Sequence, residues 1–105
     1  MFIAAYWWKV HPGKEEQFRA AWCRGTQLIR EIYGSLGSRL HWDADEARFI
    51  GMAEWPDRAT WQVAFDAKMV YDEPATRDAF ADAISDVGDE PLLLMEMTDD
   101  LLDRD

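Results

Sequence analysis

Residues 33–61, YGSLGSRLHWDADEARFIGMAEWPDRATW, form the stretch that decides the fold. It contains two runs with the composition of β-strands, Ser38–Asp43 and Arg48–Trp55, separated by a polar connector at residues 44–47. Two strands joined by so short a connector are typical of a β-hairpin. We therefore expect a hairpin here, with one helix before it and another after it.

The boundaries of this stretch carry their own signals. Gly34 can adopt the left-handed conformation that ends many helices. Leu40 and Trp42 alternate with more polar residues, which predicts that one face of the first strand is buried. Pro56 ends the second strand, and Asp57 is the expected N-cap of the following helix.

Composition limits the classes of function. The chain has 105 residues, enough for one domain spanning 1–105, and residues 98–105 form an acidic tail. Its 21 acidic residues against 11 basic ones give a formal net charge of −10, which argues against nucleic acid and anionic membranes as partners. The lone cysteine, Cys23, fits a reducing compartment, and the opening run Phe2–Trp8 has neither the flanks nor the length of a signal peptide or a membrane span. These features predict a cytoplasmic protein.

Before the hairpin, the chain predicts one strand and one helix. Phe2–Val10 (FIAAYWWKV) is apolar at both alternations, as in a strand that is buried on both faces. Lys14–Tyr33 carries a helical apolar stripe made of Phe18, Trp22, Gly25, Ile29 and Ile32. Gly25 is a poor helix former, so we expect a close approach of the sheet or a ligand at that position.

After the hairpin, the pattern predicts a split helix and a final strand. Asp57–Lys68 is the first part, residues 69–71 interrupt it, and Pro74 begins the second part. The apolar stripe of that second part is Phe80, Ala83, Ile84 and Val87, ended by Gly88. Leu92–Met97 (LLLMEM) is the last apolar strand.

The element order is therefore β-α-β-β-α-β. It predicts an α+β, ferredoxin-like fold: a four-stranded antiparallel sheet with its helices on one face. The apolar residues on the opposite face need a cover, and a second copy of the same sheet would supply it. We therefore predict a homodimer that forms through the sheet faces.

Three segments resemble a known family: HPGKEEQF at residues 11–18, YGSLGSRLHW at 33–42 and MAEWPDRATW at 52–61. They are similar to the antibiotic biosynthesis monooxygenase (ABM) family of small dimeric α/β barrel proteins, and the resemblance extends from Phe2 to Met97. It implies a dimeric α/β barrel with a pocket between the helices and the sheet of each chain. Relatives include cofactor-independent monooxygenases of quinols and polycyclic phenols, as well as haem-degrading oxygenases.

Comparison with the family, residue by residue, favours the cofactor-independent members over the haem-degrading ones. Trp61 matches a Trp that active relatives carry on the second helix. The chain contains no Asn, a residue that such relatives use, and no His follows His41, so the position of a haem-iron ligand is empty. Tyr71 stands near that position, and tyrosinate can bind haem iron.

Oxygenation without a cofactor needs an apolar slot for an aromatic ring, a base that takes a phenolic proton, and a donor that holds the phenolate. Candidate catalytic residues are His41, because imidazole side chains commonly transfer protons near neutral pH, and Trp61 and Tyr71. Candidate substrate-binding residues are Tyr6, Trp8, Trp22, Arg39 and Arg77; the aromatic ones would form the slot, and the arginines would hold an anionic oxygen. Alternative bases are Glu54 and Glu96. The alternation in the first hairpin strand also permits His41 to be a surface or interface residue.

Two classes of function stay open. The first is an oxygenase of a small aromatic or quinol-type substrate that needs no metal or other cofactor. The second is a non-catalytic dimeric module that binds a small apolar molecule. A haem-binding or haem-degrading protein ranks below both.

Overall fold

The computed structural model describes residues 1–103. Its elements are β1 (Phe2–Val10), α1 (Glu15–Tyr33), β2 (Gly37–Asp43), β3 (Arg48–Trp55), α2 (Arg58–Asp66), α3 (Pro74–Ala83), β4 (Ile84–Val87) and β5 (Leu93–Glu96). Within this range the fold is α+β, with an open antiparallel sheet of five strands and three helices. The predicted ferredoxin-like class is confirmed.

The central hairpin forms where the sequence predicts it. β2 and β3 pair antiparallel, with Asp43 opposite Arg48 next to the connector, and these two side chains form an ion pair of 3.1 Å. Gly34 caps the C-terminus of α1: it has a φ of 82° and donates its N–H to the Arg30 carbonyl. Asp57 caps α2 by accepting the Thr60 N–H at 2.7 Å. Local signals in residues 33–61 therefore determine both helix boundaries and the hairpin between them.

The strand β1 lies at the centre of the sheet. β3 pairs along one edge of it, and β2 lies beyond β3. The other edge of β1 is shared: β4 pairs with residues 8–10 and β5 with residues 2–5. The sheet therefore has the four strand positions expected from the sequence, but two short strands fill the fourth position.

The end of the last helix was predicted wrongly. The apolar stripe was expected to continue to Val87, whereas α3 ends at Ala83 and β4 begins at the next residue. Ile84 and Val87 lie three residues apart, a spacing that suits a helical stripe, yet they pair with Val10 and Trp8 of β1. Without β4 the backbone at the end of β1 would lack partners, so sheet pairing takes precedence over helical periodicity.

The helices cover one face of the sheet. β1 presents Phe2, Ala4, Tyr6 and Trp8 to them, and the opposite residues of β3 are Trp55, Ala53, Gly51 and Phe49. Two core clusters follow from this arrangement. One surrounds Trp55 and Trp61, and the other surrounds Phe18 and Phe49.

The other face of the sheet combines apolar residues with polar ones, among them Arg39, His41 and Glu54. By alternation it carries Ile3, Ala5, Trp7, Ile50, Met52, Leu93 and Met95, a set that we call the open face. Ile3 and Ala5 are buried, whereas Leu93 is 50% exposed. β1 is therefore apolar on both sides, as its sequence predicts. None of the described helices packs on the open face.

No helix in residues 1–103 is long and apolar enough to cross a membrane. The described part of the acidic tail, residues 98–103, has no regular secondary structure. The last two residues of the predicted tail, Arg104 and Asp105, lie outside the described residues.

Candidate functional site

A cavity of about 440 Å³ lies between the sheet and the helices. This volume falls within the range of small-molecule sites, and most of the wall is apolar, as such sites usually are. Five of the eight predicted site residues line it: Tyr6, Trp8, Trp22, Tyr71 and Arg77. β1 and β3 form the floor, and α1 forms one side. Residues 67–73, which join α2 to α3 and which we call the roof loop, close the top together with α3.

The floor is built around Gly51 of β3. A Cβ at this position would lie 2.9 Å from the Trp8 ring and 3.4 Å from the Trp22 Nε1 atom, so only glycine leaves room for both indoles. Trp8 is further held by Phe18 and Phe80, with ring centroids 5.7 and 5.9 Å away. The two tryptophans therefore present a rigid aromatic surface to the cavity.

Tyr6 carries the hydroxyl group of the floor. Its hydroxyl oxygen accepts the Trp61 Nε1–H at 2.7 Å. Burial raises the pKa of Tyr6, and the hydrogen bond from Trp61 opposes part of this shift. The hydroxyl therefore keeps its proton at neutral pH. Because Trp61 already occupies one lone pair of the oxygen, that proton points away from Trp61.

Trp61 acts from behind Tyr6. It is only 2% exposed, stacks on Phe65 with centroids 5.0 Å apart, and is not part of the cavity wall that the structure describes. The sequence marked Trp61 as a catalytic candidate. The structure places it as a donor that orients the Tyr6 hydroxyl.

Side chains of α1, far from the roof loop in sequence, hold that loop in place. The Tyr33 hydroxyl donates to the Val70 carbonyl, and Arg24 forms a two-pronged ion pair with Glu73, with Nε and Nη2 both 3.0–3.1 Å from the carboxylate. The hydrogen bond to Arg24 is the largest cause that lowers the pKa of Glu73. All these anchors reach the roof loop from α1, so α1 positions it.

Tyr71 explains the glycine in α1. A Cβ at Gly25 would lie 3.0 Å from the Tyr71 hydroxyl oxygen, so the ring packs against the helix backbone. The sequence predicted a close approach of the sheet or a ligand at Gly25; the neighbour is instead a side chain of the roof loop. Burial raises the pKa of Tyr71, and the nearby positive charge of Arg77 partly opposes this shift.

Three charged residues lie where the cavity opens: Lys68 in the roof loop, and Arg77 and Asp78 in α3. All three are exposed. The cavity wall thus combines an aromatic interior with a charged rim.

Besides Trp61, two more candidates from the sequence lie outside the cavity wall. His41 and Arg39 are exposed on β2, and by alternation they belong to the side of the sheet that lacks helices. His41 also borders a separate, open groove at the sheet edge, beside Leu40 and Trp42. The alternative bases Glu54 and Glu96 are likewise absent from the cavity wall among the described residues.

The sequence interpretation missed several wall residues. Trp55 lines the cavity, and its Nε1 atom is buried without a hydrogen-bond partner among the described residues. Ser35 and Ser38 also line it. Alternation with Leu40 could have placed Ser38 on the helix side, but no local signal could have placed Lys68 or Met69, because the roof loop has no periodic pattern.

No protein-family model and no curated protein sequence matches this chain. Solved structures do match along nearly its whole length. A Bordetella bronchiseptica protein assigned by name to the antibiotic biosynthesis monooxygenases shares 20% identity over 95% of this chain and 97% of its own, with a TM-score of 0.65. One from Deinococcus radiodurans, of the same name, shares 13% identity over 97% of each chain, with a TM-score of 0.66.

SnoaB from Streptomyces nogalater, a cofactor-independent oxygenase, shares 15% identity over 97% of both chains, with a TM-score of 0.62. Identities at this level establish the fold. They agree with the resemblance found in the hairpin and its flanking segments. The chain therefore has the fold of the antibiotic biosynthesis monooxygenases.

Proposed function

We propose that this protein is a cofactor-independent monooxygenase that acts on a small aromatic or quinol-type substrate bound in the cavity. The observation that carries the proposal is the Tyr6 hydroxyl, oriented by Trp61 at 2.7 Å, on the floor of an aromatic cavity. The fold shared with SnoaB supports the same class of reaction.

The residues of the wall suit the parts of this chemistry. Trp8 and Trp22 would hold a flat ring, and the Tyr6 hydroxyl would donate to the oxygen of a substrate phenolate. A donor that is held in place before the reaction stabilises developing charge without reorganisation. Tyr6 would therefore favour ionisation of the substrate and hold the electron-rich ring that reduces O₂.

The reaction balances without a further reductant. For a substrate with a ring CH₂ group next to the phenolate, one oxygen atom of O₂ becomes the new carbonyl oxygen. The other atom leaves as water with the two hydrogens of the CH₂ group. The electrons come from the substrate itself. The phenolic proton would pass to water in the cavity and leave through the opening, where Asp78 is the carboxylate of the wall; His41 lies outside the cavity and would not take this role.

We also propose the homodimer that the sequence suggests, formed through the open face. Trp7, Ile50, Met52 and Leu93 present apolar surface there, and burying such surface is favourable at about 25 cal/mol per Å². In such a dimer His41 and Arg39 would face the second copy. Sedimentation should give twice the chain mass of 12.2 kDa; a stable particle of one chain mass would refute the dimer. The single cysteine supports our proposal of a cytoplasmic location.

A non-catalytic binding module is the second candidate. The observation that favours it is the lack of an imidazole on the cavity wall described here, together with the lack of any Asn in the chain. Such a module would bind the same aromatic ligands and leave them unchanged.

Oxygen uptake separates the two candidates. Purified protein should consume O₂ with some members of a panel of hydroquinones and anthrones, and Tyr6→Phe should lower kcat at least about a hundredfold, as loss of one oriented donor does. Trp42→Phe is the matched control, because Trp42 is 56% exposed and lies outside the cavity. Uptake no faster than buffer across the panel would favour the binding module. A sharp Soret shift on addition of one equivalent of haem would instead restore the haem alternative.

A further inference from the structure

The roof loop contains an unusual backbone position at Lys68. The end of α2 forms the paired hydrogen bonds of a Schellman motif: the Lys68 N–H donates to the Phe65 carbonyl and the Met69 N–H to the Ala64 carbonyl, both at 2.9 Å. The position that Lys68 occupies in this motif is usually glycine, because it requires a positive φ. Lys68 has a φ of 58°, and Met69 follows with a φ of 47°. Helix termination alone would favour glycine at this position. The presence of lysine therefore indicates a role for its side chain.

The location of Lys68 offers that reason. Lys68 borders the opening of the cavity, and so does Arg77. Among the described residues, neither side chain forms an ion pair or a hydrogen bond. Lys14, Arg24 and Arg48, by contrast, each pair with a carboxylate. The chain as a whole has about two acidic residues for each basic one, yet the cavity wall has Lys68 and Arg77 against Asp78 alone. The rim thus has one positive charge in excess.

We infer that the cavity takes an aromatic compound that carries a carboxylate, with its ring on Trp8 and Trp22 and its carboxylate at Lys68 and Arg77. This inference rests on the proposed function in one respect: both take this cavity as the substrate site. It adds the substrate class: a hydroxylated aromatic acid whose hydroxyl reaches Tyr6 and whose carboxylate stays at the opening.

The physical arrangement suits such a ligand. The ring leaves water for an aromatic surface, while the carboxylate stays partly hydrated at the rim, so its desolvation cost is small. Arginine can hold a carboxylate through two parallel hydrogen bonds, and lysine adds a point charge. Asp78 offsets one of the two cations, and the remaining positive charge matches a single carboxylate.

Two probes with the same ring system, one with and one without a carboxylate, test the inference. One is a hydroxynaphthoate with the hydroxyl and carboxylate on opposite rings, and the other is the corresponding naphthol. Calorimetric titration should show the hydroxynaphthoate binding about tenfold tighter at low salt, and the difference should shrink as salt increases. Equal affinity for the two probes at low salt would overturn the inference.

Variants at the rim locate the preference. Lys68→Gly should reduce the carboxylate preference about fivefold, while the Tm stays constant or rises by about 3 °C because glycine suits the positive φ. A purely structural lysine would move the Tm alone. Arg77→Gln should reduce the preference to a similar extent. Arg30→Gln, which removes an exposed α1 charge outside the cavity wall described here, should leave it unchanged.

The outcomes separate this inference from the proposed function. A carboxylate preference that depends on Lys68, without any oxygen uptake, would support the inference and refute the oxygenase. Oxygen uptake with neutral quinols only, and no effect of Lys68→Gly on binding, would support the oxygenase and refute the inference.

Discussion

The floor and the roof of the cavity are built differently. The floor consists of β1 and β3 side chains locked in the aromatic core, with Gly51 leaving room for Trp8 and Trp22. The roof is a loop without regular structure over residues 67–73, held to α1 by Tyr33, by Arg24 and by the contact of Tyr71 with Gly25. The floor therefore determines the shape of the site, whereas the roof loop and α3 together supply the charges at its opening. Changes in the floor should cost stability, and changes in the roof should chiefly alter ligand binding.

The largest effect is expected from Trp61→Ala, in the core layer of α2 behind the floor. It removes a side chain that is 2% exposed and takes away the donor that orients Tyr6. Loss of a buried tryptophan costs about 3–5 kcal/mol in the free energy of unfolding. Urea unfolding measures this change. Val63→Ala, on the same helix but 68% exposed, is the control and should cost less than about 0.5 kcal/mol.

The two glycines of the site give the sharpest contrast. Gly51→Ala places a methyl group 2.9 Å from the Trp8 ring, and this overpacking should cost about 1–3 kcal/mol. Gly25→Ala meets only the end of the Tyr71 side chain, and the gain in helix propensity of about 1 kcal/mol should offset the contact. Thermal unfolding of both variants tests the comparison. An equal loss of stability in the two would show that the roof is as rigid as the floor.

Tyr33→Phe should have an intermediate effect. It removes the hydroxyl that donates to the Val70 carbonyl and so releases one anchor of the roof loop. The loss of one hydrogen bond corresponds to about 1 kcal/mol in the free energy of unfolding. Hydrogen exchange in residues 67–73 should accelerate, while exchange in β1 should stay unchanged. Faster exchange spread evenly over both regions would contradict the separation of roof from floor.

Acid should weaken the roof with a small effect on overall stability. Arg24 and Thr76 hold the pKa of Glu73 below its ordinary value of 4.5, so this carboxylate stabilises the fold above that pH. Its contribution decreases as the pH falls through the lowered pKa. Glu73→Gln should therefore lower the Tm slightly at pH 7 and make it less sensitive to acid. Asp57 and Asp82, whose pKa values are also lowered, should retain their own acid dependence in this variant. An unchanged Tm profile would mean that the Arg24–Glu73 pair does not hold the loop.

The sequence predicted the strand residues of the site correctly, but it did not predict the positions of Trp61 and His41. Tyr6 and Trp8 share an alternation with the core residues Phe2 and Ala4, so a strand pattern suffices to place them together. Trp61 was found by resemblance, but its position behind Tyr6 was not predicted, because a helical stripe does not tell a wall residue from the layer behind it. His41 was named as a base, yet the register of β2 keeps it on the other side of the sheet.

The sequence by itself determined the hairpin, the ends of α1 and the double apolar character of β1, since these depend on neighbours a few residues apart. Only the tertiary structure decided that Ile84–Val87 forms a strand, because the choice depends on the free edge of β1 at the other end of the chain. It also decided the roof, whose anchors join residues 37 and 49 positions apart. Periodicity reports which face of an element is apolar; it carries no information about which distant groups will meet there.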